Sequence, residues 1–326
     1  MRALVYEGTE TLAVRDVELP QVAQDEHLVR IHSVGICGSD MHAYLGHDER
    51  RPAPLILGHE AAGVVETGPW KDRRVTINPL VTCGACAYCQ AGRENLCPQR
   101  QIISMPPREG AFAQFVAMPE RNLVPVPDDV PLAKAALAEP LAVGWHAVCL
   151  ALRALDLSME ARALVIGGGA IGLSAALALH AMGVNAVQIV EPNDMRRAYL
   201  RDRCGQDAIA EPGGGAPIVV DAVGYAATRA TASRLAEPGG VIVHVGLGDN
   251  SDGLDTRRMT LQEITFIGTY TYTAKDFRDT AQAIFDGRLG DLDWFETRPL
   301  SEGADAFADI RAGRIPEPKI VLDPWG

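Results

Sequence analysis

Four of the chain's seven cysteines crowd into VTCGACAYCQAGRENLCPQR, at Cys83, Cys86, Cys89 and Cys97. Thiols at this density are metal ligands or disulfide partners. An odd cysteine count and an expected reducing, cytoplasmic compartment disfavour disulfides, so metal ligation is read first. The rival from another class is an iron–sulfur electron carrier, because C-x2-C-x2-C followed by Cys97-Pro98 is ferredoxin-like. That signature has three residues before its last Cys-Pro, whereas seven separate Cys89 from Cys97. Cys149 and Cys204 stand alone in helix-like contexts and read as small buried hydrophobes.

A second pattern binds phosphate rather than metal. LVIGGGAIGLSAALALHAMG carries Gly167-x-Gly169-x-x-Gly172 directly after a strand-like run and opening a helix-like one. Gly167 permits a tight turn, Gly169 lets the backbone approach a pyrophosphate, and Gly172 allows helix and strand to pack closely. The helix N-terminus offers free N–H groups to the phosphates. Glu191 follows Gly172 by nineteen positions, where an acid binds ribose hydroxyls and repels a 2′-phosphate, which favours NAD over NADP. Arg196 and Arg197 just downstream would approach such a phosphate if Glu191 turned away. Their alternative is a solvated helix face with one guanidinium against the adenine.

A third set is scattered. VGICGSDMH, LILGHEAAG and ALAEPLAVG hold Cys37, His59, Glu60 and Glu139, with no short spacing to link them. Taken singly, His59 would cap a turn and Glu139 would begin a helix.

Taken in order, GICGSDMH, GHEAAG, the four-cysteine run, EPLAV and the glycine fingerprint resemble the zinc-dependent medium-chain alcohol dehydrogenases. The likeness is strongest to the branch of sorbitol, threonine and butanediol dehydrogenases, and it covers nearly the whole chain. It implies a catalytic zinc on Cys37 and His59, with Glu60, Glu139 or water completing an exchangeable shell. Ser39 would take the substrate's hydroxyl proton and His42 would relay it to solvent, while Asp40 orients His59. Gly167, Gly168, Gly169, Ala170, Ile171 and Gly172 would cradle the coenzyme. Glu191, Arg196, Val223, Val245, Gly246 and Tyr270 would complete its site. Four thiolates fill a tetrahedral zinc, so Cys83, Cys86, Cys89 and Cys97 would hold a second, structural ion. Two zinc ions per chain and NAD, with NADP less favoured, are therefore the expected cofactors.

The same likeness places Tyr44, Leu45, Ile102, Met105, Trp145, Tyr270 and Tyr272 around the substrate. Sorbitol dehydrogenase carries an Arg-Tyr pair where this chain has Thr271 and Tyr272, which weakens a long-polyol reading. The expected reaction is oxidation of a secondary alcohol, such as a polyol, sugar alcohol or sugar acid, to the ketone with hydride transfer to NAD. NADP-dependent carbonyl reduction on the same scaffold is the alternative.

The elements that must position these residues follow from pattern. Residues 1 to about 135 alternate in short runs such as HLVRIHSVGI, broken by Gly and Pro, and read as β-rich. From Glu139 onward a helical run precedes strands at ARALVIGG, AVQIVEP, PIVVDAVG, GVIVHVGL and ITFIGTY, a βαβ rhythm that predicts a doubly wound parallel sheet. The expected organisation is a GroES-like catalytic domain over 1–138 and 273–326, with a zinc lobe at about 80–100, and a Rossmann domain over 139–272. Across 326 residues, 47% are hydrophobic and the formal charge is -12, which disfavours nucleic acid and with it a zinc-bearing nucleic-acid module. No apolar run spans a bilayer, the richest being Ala170 to Val184 with His180 inside it. The expected partners are a small alcohol and copies of the chain itself, as homodimer or homotetramer.

Overall fold

The computed structural model describes residues 1–326, which divide into two compact units. Met1–Glu139, Thr273–Gly287 and Phe295–Gly326 form the first; Pro140–Tyr272 and Arg288–Trp294 form the second. The expected boundaries placed 288–294 with the catalytic domain. The chain instead buries Leu289, Leu292 and Trp294 in this stretch. Arg288 lies over the Trp145 ring at 5.6 Å and donates to the Ala181 carbonyl at 3.2 Å, tying the stretch to the second unit.

The first unit opens with β1 (Arg2–Gly8), β2 (Thr11–Asp16), β3 (Glu26–Gly35), β4 (Leu55–Ile56) and β5 (Glu60–Val65). It continues with β6 (Arg74–Ile77), β7 (Leu80–Val81), β8 (Gln101–Ile102), β9 (Phe115–Pro119) and β10 (Leu123–Pro125). The second unit supplies β11 (Arg162–Ile166), β12 (Ala186–Val190), β13 (Ala208–Ile209), β14 (Ala216–Asp221), β15 (Ala236–His244) and β16 (Thr265–Gly268). The chain then returns to the first unit for β17 (Phe295–Pro299) and β18 (Lys319–Asp323).

The main sheet of the first unit runs β10-β6-β5-β3-β18-β17, with β9 also on β3. Along β3, Val29 and Ile31 point into the core while Arg30 and His32 are half-buried, the alternation of a one-sided strand. A register shift against β5 between Ile31 and Ser33 breaks that phase, and Ser33, Val34 and Gly35 are all buried. Strand β3 thus ends deep in the unit, next to Cys37. Gly35 lies opposite Glu60, and a Cβ there would sit 2.1 Å from Glu60 Oε2, so only glycine leaves room for the carboxylate. Phe307 anchors the core, with Phe112 edge-on at 5.9 Å and Tyr44 tilted at 5.2 Å.

In the second unit six parallel strands take the order β13-β12-β11-β14-β15-β16. This is the doubly wound order, reversing between β11 and β14, where such folds bind ligands beyond the strand C-termini. Every residue of β14 is buried, as expected for a strand covered on both faces. Two short strands, β13 and β17, leave little pattern in the sequence. β13 is two residues long, and β17, FETRP, carries charges that mask its parallel pairing with β18. No helix is long and apolar enough to cross a membrane.

Phe307 is fully buried, so Phe307→Ala is expected to cost about 3–5 kcal/mol of stability. Urea unfolding followed by far-UV circular dichroism checks this through the shift in midpoint.

Candidate metal and coenzyme sites

Strand β3 leads into Cys37, which caps the helix Gly38–Tyr44. Asp40, in that helix's first turn, accepts the Cys37 N–H through Oδ2 at 3.0 Å, completing a capping box with Cys37. Strand β5 begins at Glu60, directly after His59. Cys37, His59 and Glu60 consequently bring one sulfur, one nitrogen and one oxygen within 4.8 Å of one another. That is a zinc donor set with an open fourth place. Glu60 Oε2 is buried with no hydrogen-bond partner, a free electron pair on a residue of the cluster.

The buried charges here hold one another in place. Burial opposes a charged imidazole at His59, yet Asp40 and the Cys37 sulfur hold it well above its ordinary value. Burial likewise opposes charge on Asp40, and His59 with Arg51 holds its carboxyl below the usual range. Lys319, at the start of β18, donates to Glu60 Oε1 at 2.7 Å and to the Ile36 carbonyl at 2.9 Å. Burial disfavours its charge, but Glu60 and Cys37 keep the ammonium protonated.

Glu139 lies outside the three-residue cluster. It is buried in the first turn of the helix Ala138–Ala154, close enough to Lys319 to act on its charge. Ser39 Oγ stands 3.5 Å from His59 Nε2. His42 is one turn further along the same helix, on the face of Ser39, and is exposed. Of the aromatic residues expected around the substrate, Tyr44 packs into the core against Phe307, and Trp145 and Tyr272 are buried.

Cys83, Cys86, Cys89 and Cys97 form a separate cluster, with no disulfide among them. Their sulfurs lie 3.5 Å (Cys86–Cys89), 3.6 Å (Cys83–Cys97) and 3.9 Å (Cys83–Cys89) apart. A zinc tetrahedron with ~2.3 Å bonds has edges of about 3.8 Å, so the cage matches the ion. The backbone N–H groups of Ala85 and Cys86 draw the Cys83 thiol down to about 6. Burial and the neighbouring thiols push Cys89 up to about 12. Cys149 and Cys204 are half-buried elsewhere, and burial raises the Cys204 thiol to about 11, which makes it inert.

In the second unit Gly167 has a φ of +97°, and Gly172 packs so tightly that a Cβ would lie 1.8 Å from the Gly167 carbonyl oxygen. The helix Ala170–Ala181 starts at Gly169 without a side-chain cap, leaving its N–H groups to a ligand, and nothing lies within 4 Å of a Cβ on Gly169. Gly168, Ala170 and Ile171 belong to the same turn. Glu191 directly follows β12 and folds back, Oε2 accepting from Gly168 N at 3.0 Å and Oε1 from Asn193 N at 2.8 Å. Arg197 is committed to Asp194 and to the Glu191 and Pro192 carbonyls. Arg196 Nη1 lies 3.7 Å from Glu191 Oε2, while its Nε is buried without a partner. Val223, Val245, Gly246 and Tyr270 follow the C-terminal ends of β14, β15 and β16. A dinucleotide fits these features: a glycine turn, free N–H groups and an oriented acid.

Sequence reasoning missed Lys319, Ser104 and Arg51. The signal for Lys319 was a single charge opening the apolar run KIVL; for Ser104 there was none.

Comparison with known proteins agrees with this chemistry. Residues 23–128 match the family pattern "Alcohol dehydrogenase GroES-like domain", and residues 170–286 match "Zinc-binding dehydrogenase". L-idonate 5-dehydrogenase of Vitis vinifera is 30% identical over 294 residues, 81% of this chain and 78% of that enzyme. Sorbitol dehydrogenase of Bacillus subtilis is 30% identical over 295 residues, 83% of this chain and 82% of that enzyme. Among solved structures, an alcohol dehydrogenase from Thermus sp. ATN1 superposes with a TM-score of 0.88 at 25% identity, covering 99% of both chains.

Removing Lys319 leaves a buried carboxylate unpaired. Lys319→Met is expected to destabilise the zinc-stripped chain by about 3–5 kcal/mol, and adding Glu60→Gln to recover most of the loss. Urea midpoints of the single and double variants check both.

Proposed function

Because the chain belongs to the zinc-dependent medium-chain alcohol dehydrogenases, we propose that it oxidises a secondary alcohol of the polyol, sugar-alcohol or sugar-acid class to the ketone, passing hydride to NAD. The observation that carries this reading is the Cys37, His59 and Glu60 cluster with its unpartnered Glu60 oxygen. Zinc held there supplies positive charge to stabilise the reacting oxygen as its proton leaves.

The chain's own residues do the rest. Ser39, beside His59, takes the hydroxyl proton, and His42 passes it to water. Lys319 neutralises Glu60 so that its carboxylate is a weak, exchangeable ligand, and Glu139 supplies the alternative carboxylate. The turn Gly167–Gly172 holds the pyrophosphate while Glu191 accepts from the ribose hydroxyls. Cys83, Cys86, Cys89 and Cys97 hold the structural ion. Association as a homodimer or homotetramer belongs to the same reading, supported by the unpaired outer edge of β16 and by exposed Leu247 and Leu261.

Arg196 favours a second reading, NADP-dependent carbonyl reduction, since its unpartnered Nε lies at the edge of the ribose site. Titration with each coenzyme separates the two. NAD is expected to bind at least about tenfold more tightly, because Glu191 repels a 2′-phosphate, and Glu191→Ala to erase the preference. Tighter NADP binding by the unaltered chain would select the reductase. A panel of polyols, sugar acids, hydroxy-amino acids and small diols, assayed with NAD at alkaline pH, then identifies the alcohol.

A further inference from the structure

Around His59 Nδ1 lies a buried arrangement that the proton path through Ser39 and His42 does not use. An imidazole that ligates through Nε2 carries its proton on Nδ1, and the partner of that N–H sets the ring's orientation. Two acceptors face His59 Nδ1: Asp40 Oδ1 at 3.4 Å and Ser104 Oγ at 3.3 Å. Asp40 is a shared anchor, because Oδ1 also accepts from Gly58 N at 3.2 Å and Oδ2 from Cys37 N. Its contact to the ring exceeds the ~2.7–2.9 Å of a strong charge-assisted bond.

Ser104 reaches the ring from a backbone that serine rarely adopts. Its φ is +73° and it is fully buried. Glycine would occupy that conformation without strain. What holds it is Arg51, whose Nε donates to the Ser104 carbonyl at 3.0 Å. Arg51 is itself only 3% exposed, and its Nη1 pairs with Asp48 at 2.5 Å. Asp48 is fixed in turn by two bonds from the Arg50 guanidinium, at 2.8 and 3.0 Å. A continuous series therefore runs from Asp48 through Arg51 and the Ser104 backbone to the proton on His59.

We propose that Ser104 is a positioning residue for the catalytic zinc. Arg51 clamps its strained backbone so that the hydroxyl accepts the Nδ1 proton of His59 and aims Nε2 at the metal. This inference rests on His59 being a zinc ligand. It explains why a strained position carries a side chain, since a turn alone would be served as well by glycine.

The test uses the full-length, zinc-loaded protein with Ser104→Ala, Ser104→Gly and Arg51→Met. A chelator time course follows loss of the first of two zinc ions, and cobalt(II) refills the emptied site so that its visible bands report ligand geometry. Both Ser104 variants are expected to release that zinc about tenfold faster or more and to show shifted cobalt bands. The four-cysteine zinc keeps its wild-type release rate. Ser104→Gly should also raise the melting temperature of the zinc-stripped chain, so that metal retention and stability move in opposite directions. Arg51→Met should reproduce the band shift, and combining it with Ser104→Ala should add little. Wild-type release rates and bands in both Ser104 variants would overturn the proposal. A wild-type protein that takes no cobalt outside the four-cysteine lobe would contradict the zinc-ligand reading of His59, and the proposal with it.

Discussion

The buried ion pair between Lys319 and Glu60 is the constraint on which the catalytic unit is organised. The partners lie 259 residues apart in sequence and 2.7 Å apart in space. Neither charge is tolerable alone in an apolar interior, so each requires the other, and the last strand must close against β3 where Glu60 stands on the neighbouring strand. Closure gives Glu60 its dual character. One oxygen is spent on the ammonium and the other is left buried without a hydrogen-bond partner. The glycine at position 35 follows from the same geometry, because any side chain there would occupy the carboxylate's place.

The two thiolate-bearing centres divide the work by how completely they close. Four sulfurs at tetrahedral spacing leave no open position, so the lobe at Cys83–Cys97 serves folding. Three unlike donors at the starts of two elements, Cys37 before a helix and His59 with Glu60 at the head of β5, would leave one position open on a zinc ion. In the nucleotide-binding unit the corresponding device is backbone: a left-handed glycine, an uncapped helix and an acid turned back onto the turn. Each centre thus uses the cheapest structure that supplies its chemistry.

Much of this was legible in sequence for physical reasons. The βαβ rhythm of 162–268 survives because strands covered on both faces must be apolar, as in β14 and the Val241–Val243 stretch of β15. The four cysteines and the glycine fingerprint are local motifs whose spacing is the geometry. Cys37, His59 and Glu60 carry no common spacing, and only their ordered resemblance to a known family joined them. Lys319 and Ser104 were invisible, since one is a lone charge at a strand end and the other an ordinary serine whose φ is fixed by a distant arginine. The strands β13 and β17 escaped because a two-residue pairing and a charged edge leave no periodicity to read. The return of 288–294 to the second unit depends on Arg288 meeting Trp145, a long-range contact with no local signature.

Cys37 is the proposed zinc ligand that stands apart from the four-cysteine lobe, so its replacement tests the reacting centre separately from that lobe. Cys37→Ser should be compared with the unaltered protein on the substrate panel, following nicotinamide reduction while zinc is counted per chain. The expected result is loss of turnover by at least about a thousandfold, equivalent to about 4 kcal/mol of transition-state stabilisation, with circular dichroism unchanged and the four-cysteine zinc retained. Turnover by Cys37→Ser at the wild-type rate would contradict the assignment of catalysis to the scattered Cys37, His59 and Glu60 centre.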